Sequence, residues 1–208
     1  MSSNHKVLSA FVAVAVLASF SIRAQDEEFK RSYADSIGYE KALDYDTAIK
    51  YMLAIRATTA NSYAINYRLG WLYYASGKYA DSRVAYQSAI RLNPQSLEAK
   101  LGYISTLLAL GRWDEAEFVA KQIIKADVNN YYANLRLSYA LRMQKKASVA
   151  EKLANDMLSI YPSDVNFMVE LAFAFLGQNN PAAARKIFGD ILMYSPDNYW
   201  AKEQIGKL

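Results

Sequence analysis

The chain has 208 residues, room for one domain of ordinary size, and its 24 Lys plus Arg against 20 Asp plus Glu give a net charge of +4. With no cysteine and a single histidine, His5, it excludes disulfides, thiol nucleophiles, cysteine-linked lipid and soft metal sites. So small a charge excess does not steer it to nucleic acid or to anionic lipid.

Residues 1–24 read as a secretory signal. Lys6 supplies a positive start, the stretch from Val7 to Ile22 is apolar, and acids follow at once at Asp26, Glu27 and Glu28. The apolar run is short for a spanning helix, which prefers about 20 apolar residues. Cleavage is expected after Ala24, leaving Gln25 first. Ile22 is bulky for its place before that site, so an uncleaved N-terminal membrane anchor is the alternative. Removing residues 1–24 takes away Lys6, Arg23 and the only histidine and lowers the net charge to +2, by two from the +4 of the whole chain. Export without disulfides suits a bacterial envelope, so the expected location is periplasmic or otherwise exported.

From Phe29 onward the chain is periodic. Ala48, Ser82, Ala116, Ala150 and Ala184 recur every 34 residues without an insertion, as identical stacked units require. The rows are 29–62, 63–96, 97–130, 131–164 and 165–198, with a remnant over 199–208. Each ends on a good helix N-cap, Ser62, Ser96, Asn130, Asp164 or Asn198, so a new helix starts at every row. Pro94, Pro162 and Pro196 stand just before three of those caps and stop the preceding helix.

A second break falls in the middle of every row. Gly77 and Gly111 suit a left-handed helix end there, and Asn180 followed by Pro181 reads as a cap with proline at the first helical position. Lys145 and Asn179 replace the glycine in rows four and five. Apolar residues at helical intervals flank the break, as with Leu69, Leu72 and Tyr73 before it and Ala85, Tyr86, Ala89 and Ile90 after it. The small residue of the Ala48 column lets the two helices of a hairpin approach closely.

Row two carries Leu69, Gly70, Tyr73, Gly77, Tyr79, Ser82, Tyr86, Ala89 and Pro94, and row three carries Gly111-Arg112-Trp113-Asp114-Glu115-Ala116. On these residues the chain resembles the tetratricopeptide repeat family, as an exported bacterial member, over residues 29–208. The resemblance implies an all-α fold, a right-handed superhelical solenoid of stacked helix-turn-helix hairpins with about five repeats plus a C-terminal helix. The mature part, 25–208, is then one repeat domain, and residues 199–208 form a capping helix over the last hairpin. Trp200 and Ile205 serve either that packing or self-association.

Residues able to do chemistry are scarce. Asp44 with Asp46 and Asp114 with Glu115 stand at starts of second helices, where acids suit the helix dipole. No glycine-rich phosphate loop, nucleophile elbow or calcium loop is present, so no catalytic residue, cofactor or metal is expected. The basic group Arg136, Arg142, Lys145 and Lys146 reads as a solvated helix end.

In the family the first helix of each hairpin lines the concave face. The resemblance places Tyr33, Tyr67, Trp71, Tyr74, Tyr132, Tyr139, Arg142, Phe173 and Trp200 there, with Ile37, Leu101, Ser105, Leu108 and Val169 between them. Tyrosine and tryptophan combine stiff contact area with one polar group, so such a face suits an extended peptide or a partner's helix. With 17 Tyr in the chain, part of this set belongs to the core between hairpins. The lysine and asparagine clamp of chaperone-tail binders in the family is absent, its positions holding Tyr67, Trp71, Leu101 and Ser105. The expected function is a non-enzymatic, exported adaptor or assembly scaffold that binds a protein or peptide partner. The alternatives are a self-assembling homo-oligomeric scaffold and an accessory protein that binds or exports a glycan.

Overall fold

The computed structural model describes residues 26–56 and 62–208, and all regular structure among them is helical. The expected signal, residues 1–24, lies outside the described residues. Helix α1 spans 26–41, α2 Tyr45–Arg56, α3 Tyr63–Ala75, α4 Tyr79–Leu92, α5 Leu97–Ala109 and α6 Trp113–Ala126. They are followed by α7 Tyr131–Met143, α8 Ala147–Ile160, α9 Val165–Gly177, α10 Pro181–Tyr194 and α11 Tyr199–Ile205. The chain divides into two compact units, one ending at Asn93 with α1–α4 and one from Pro94 to Leu208 with α5–α11. Both are built of helical hairpins, the unit of an all-α repeat solenoid. None of the described helices is long and apolar enough to cross a membrane.

The helix starts are set locally. Ser62, Ser96, Asn130, Asp164 and Asn198 each accept, through a side-chain oxygen, the amide three residues on, at 3.5, 3.0, 3.1, 3.0 and 3.0 Å. Such a cap typically contributes about 1 kcal/mol over alanine. Asn180 caps α10 through the Ala183 amide at 3.1 Å, with Pro181 opening the helix. Asp44 accepts from the Thr47 amide at the start of α2, and the Thr47 hydroxyl together with that amide holds its carboxyl below the usual range.

The mid-row turns share one backbone conformation. Leu43, Gly77, Gly111, Lys145 and Asn179, spaced by the repeat, have φ of 60°, 75°, 71°, 60° and 58°. Glycine takes this left-handed region freely and asparagine at modest cost, whereas leucine and lysine meet their own Cβ. Lys145 therefore changes the residue at the turn and leaves the turn itself intact. Leu43 is an exposed side chain. Leu43→Gly is expected to stabilise the first unit by about 0.5–1 kcal/mol, read as a higher denaturant midpoint at unchanged slope.

The small column closes the hairpins, and Ala48, Ser82, Ala116, Ala150 and Ala184 are all fully buried. Ser82 differs from the alanines in donating its hydroxyl to the Gly70 carbonyl at 2.8 Å, which ties α4 to α3. The core of the first unit gathers Ile49, Met52, Ile55, Ile65, Leu69 and Leu72, with Phe29, Tyr33 and Tyr73 packed on it. In the last hairpin Met168, Ala172, Ala184, Phe188 and Ile191 enclose Ala201 of α11, and Ile205 packs beside them. That helix therefore covers the hairpin before it. Val169, placed on the concave face by the resemblance, belongs to this core.

Within the basic group at the end of α7, Lys145 and Lys146 are exposed, as a solvated helix end implies, and Arg142 is the correction, half-buried and paired with the buried Glu170, while Lys146 also reaches the buried Glu117. These partners stand about one repeat away in sequence, so the pairs form only when hairpins stack. Glu117 of α6 accepts from Lys121 at 2.5 Å and from Gln144 and Lys146, both at 2.9 Å, joining α6 to the turn between α7 and α8. Burial alone opposes its charge, but these three donors together outweigh that and lower its pKa from 4.5 to about 2. A lowered carboxylate pKa contributes stability that is present above 4.5 and lost as pH falls toward 2. Glu117→Gln is accordingly expected to cost about 2 kcal/mol near neutral pH and to flatten the acid limb of the stability curve below pH 4.5, followed by urea denaturation across pH.

Candidate functional site

The residues expected on the inner face fall into two sets, one in each unit. In the first unit they start from the α1–α3 pairing. Arg68 of α3 is a buried residue in the stretch Tyr67-Arg68-Leu69-Gly70-Trp71. Its Nε donates to Ser36 Oγ at 3.0 Å, its Nη1 pairs with Glu40, and its guanidinium lies 5.6 Å from the Tyr33 ring centre. Glu40 also accepts the Trp71 indole N–H at 2.5 Å. Nη2 of Arg68 is buried and has no hydrogen-bond partner.

Trp71 is 42% exposed and opens a run of rings. It stacks with Tyr74 at 6.2 Å between ring centres, and Tyr74 meets Tyr79 of α4 at 5.6 Å. Tyr67 stands apart from this run, stacked on Tyr63 at 5.9 Å and edge-on to the buried Tyr86 at 5.9 Å. Tyr33, Tyr67 and Tyr74 are half-buried. Trp71 and Tyr33 thus meet one arginine–glutamate pair and Tyr74 joins through Trp71, while Tyr67 is a bridge to the core.

In the second unit the first helices α5, α7 and α9 pack on one another. Arg142 of α7 makes a two-point pair with Glu170 of α9, Nε to Oε2 at 2.9 Å and Nη2 to Oε1 at 3.3 Å. Its guanidinium lies between two rings, 4.7 Å from the centre of Tyr139 and 4.5 Å from that of Phe173. Tyr139 meets Trp113 edge-on at 5.9 Å, and Phe173 meets both Phe188 and Trp200 edge-on at 5.6 Å. The result is a continuous ladder, Trp113, Tyr139, Arg142, Phe173 and Trp200. Glu170 is buried, and desolvation raises its carboxyl pKa against the opposing pull of Arg142.

Exposure within this unit is uneven. Tyr132 and Trp200 are 58% and 47% exposed, whereas Tyr139, Arg142 and Phe173 are half-buried. Tyr132 carries the Arg136 guanidinium 5.5 Å from its ring centre, and Arg136 Nε donates to Ser105 Oγ at 2.8 Å. Arg142 is thus a strut between α7 and α9, and the exposed contact area lies with Tyr132 and Trp200.

Sequence reasoning missed Ser36, Glu40, Arg68 and Tyr79 in the first unit and Trp113 and Glu170 in the second. One signal was available for Arg68, a cation in an otherwise apolar and aromatic stretch. Its partner Glu40 lies 28 positions earlier and carries no local mark. Among the described residues no group of three or more His, Asp or Glu side chains is placed to hold a metal ion.

Comparison with known proteins adds the following. Models of the tetratricopeptide repeat match residues 36–96 and 73–138. Human protein O-mannosyl-transferase TMTC1 is 29% identical over 105 residues, which is 50% of this chain and only 12% of that protein's length. A tetratricopeptide repeat protein from Parabacteroides merdae superposes with a TM-score of 0.78 at 15% identity, over 87% of this chain and 72% of its own. YrrB, described as a tetratricopeptide repeat protein with an unusual peptide-binding site, gives 0.69 at 12% identity, over 85% and 91%. At such identities the structural likeness is one of fold.

Proposed function

Because the chain belongs to the tetratricopeptide repeat family, whose hairpins are protein-interaction modules, we propose that it acts as a non-catalytic adaptor or assembly scaffold. It holds an extended peptide or a partner's helix on the aromatic side chains of its first helices. The observation that carries this reading is the half-exposed cluster around Trp71, where rings are fixed by an ion pair instead of being sunk in the core. Rings held in this way offer contact area at little further loss of conformational freedom. The peptide-binding site of YrrB is in keeping with that use of the fold.

The reading includes export to a bacterial envelope, supported by the sequence features of residues 1–24. Mass measurement of the protein from cells tests it: a mature chain beginning at Gln25 is expected, and retention of residues 1–24 in the membrane fraction contradicts it. Function is tested by placing a photo-reactive side chain at Tyr74 and cross-linking in intact cells. One dominant protein adduct is expected, abolished by Trp71→Ala with helicity unchanged. An adduct pattern indifferent to Trp71 removes the aromatic surface from the account.

A further inference from the structure

We propose that the joint between α7 and α8 is the yielding element of the second unit, parting while the helices on either side stay folded, with the Arg142–Glu170 pair as its latch. The repeat supplies the measure. In the second hairpin Gly70 lies against Tyr86, so a small residue of the first helix meets a large one of the second. The same two columns hold Ser36 with Met52, Ile104 with Ala120 and Ala172 with Phe188 in the first, third and fifth hairpins, all fully buried. Each pair contains one large side chain. The fourth hairpin holds Ser138 with Ala154, both fully buried and both small. The helices do not close in to compensate, because α7 packs on α8 less extensively than α3 on α4, α5 on α6 or α9 on α10. A face short of one side chain forfeits the dispersion contacts which that side chain would make.

Two features beside that face point the same way. The Ser138 hydroxyl is buried with no hydrogen-bond partner, which disfavours the closed arrangement. Lys145, in the turn joining the two helices, holds a φ of 60° that crowds its own Cβ. Each helix is instead held from outside. α7 lies on α6, and the turn after it reaches Glu117 of α6 through Gln144 and Lys146. α8 lies on α9, where a Cβ on Gly177 would stand 2.9 Å from that of Ala147 and Gln178 donates to Glu151 at 2.6 Å. The ties that cross the joint run from α7 to α9. Tyr131 reaches the half-buried Asp164 and the exposed Asn166, whereas Arg142 grips the buried Glu170 at two points. Breaking that pair strands a buried carboxylate, so it sets most of the cost of opening. Opening moves Tyr132 of α7 relative to Trp200 of α11, two of the exposed rings of this unit.

The chain has no cysteine, so a single introduced thiol reports the joint. Ala154→Cys places it in the α7–α8 face, and Ala120→Cys places it at the same column of the third hairpin, where Ile104 supplies the bulk. Labelling by an aromatic disulfide reagent, under conditions where closing outruns reaction, is compared with the global unfolding of each variant in urea. The Ala154→Cys thiol is expected to label at least about tenfold faster than global unfolding allows, and the Ala120→Cys thiol at the rate global unfolding sets. Labelling of both at the global rate overturns the yielding joint. Arg142→Lys keeps the charge but not the two-point geometry. Added to Ala154→Cys, it is expected to speed labelling about tenfold, the same factor by which it raises the unfolded population. Lower global stability with unchanged labelling overturns the latch. Ala154→Met copies the first hairpin's Met52 against Ser36 and is expected to raise the urea midpoint, whereas Ala120→Met is expected to lower it. A lowered midpoint from both overturns the missing side chain as the cause.

Discussion

Gly70→Ile is expected to destabilise the first unit by about 3 kcal/mol or more, and combining it with Tyr86→Ala is expected to cost clearly less than the two single losses together. A Cβ placed on Gly70 meets three ring atoms of Tyr86 at 2.8, 2.8 and 2.9 Å, closer than side chains approach in a relaxed core. Tyr86 is 2% exposed and cannot step aside. One repeat later the same two columns hold Ile104 and Ala120, both fully buried. The two hairpins thus divide the bulk in opposite ways, glycine under tyrosine in one and isoleucine with alanine in the other. Tyr86→Ala alone opens a cavity of the kind that costs about 3–5 kcal/mol. The signature is therefore in the coupling: the double variant is more stable than the sum of the single losses allows, by about 2 kcal/mol or more. Urea denaturation of the four chains measures it, and additive losses contradict the exchange.

The same pair shows what was legible in sequence. Features set within one turn of helix were readable, because their partners lie three or four residues away. The caps at Ser62, Ser96, Asn130, Asp164 and Asn198 and the glycines at 77 and 111 are of this kind. Leu43 was harder, since a leucine gives no hint of a left-handed backbone and only its place in the 34-residue register does. The networks that shape the candidate surfaces were not readable. Arg68 with Glu40, and Arg142 with Glu170, each span 28 positions and meet only because first helices of successive hairpins stand side by side. Exposure was illegible for the same reason: Trp71 and Tyr67 share a helix, yet one is held at the surface by Glu40 and the other leans on Tyr86.

Arg142→Met is expected to cost the second unit about 3–5 kcal/mol at neutral pH, because it strands the Glu170 carboxylate in an apolar wall. Only 8% of the Glu170 side chain is exposed, and its pKa is raised by desolvation even with Arg142 in place. Without the guanidinium both forces that lower it are gone, so it rises further. An acid whose folded pKa is raised loses stability as pH climbs from the unfolded value near 4.5 through the folded one. The variant is therefore expected to recover on acidification toward pH 4.5, opposite in sense to the acid loss expected from Glu117. Arg142→Met with Glu170→Leu removes the charge on both sides and is expected to come within about 1 kcal/mol of the original chain. That double variant also separates strut from ligand contact, because the ladder rings Tyr139 and Phe173 keep an apolar spacer where the guanidinium stood. If a partner bound by the second unit is held through Tyr132 and Trp200, its affinity survives the double change. A loss of affinity at restored stability assigns the Arg142 charge to the partner.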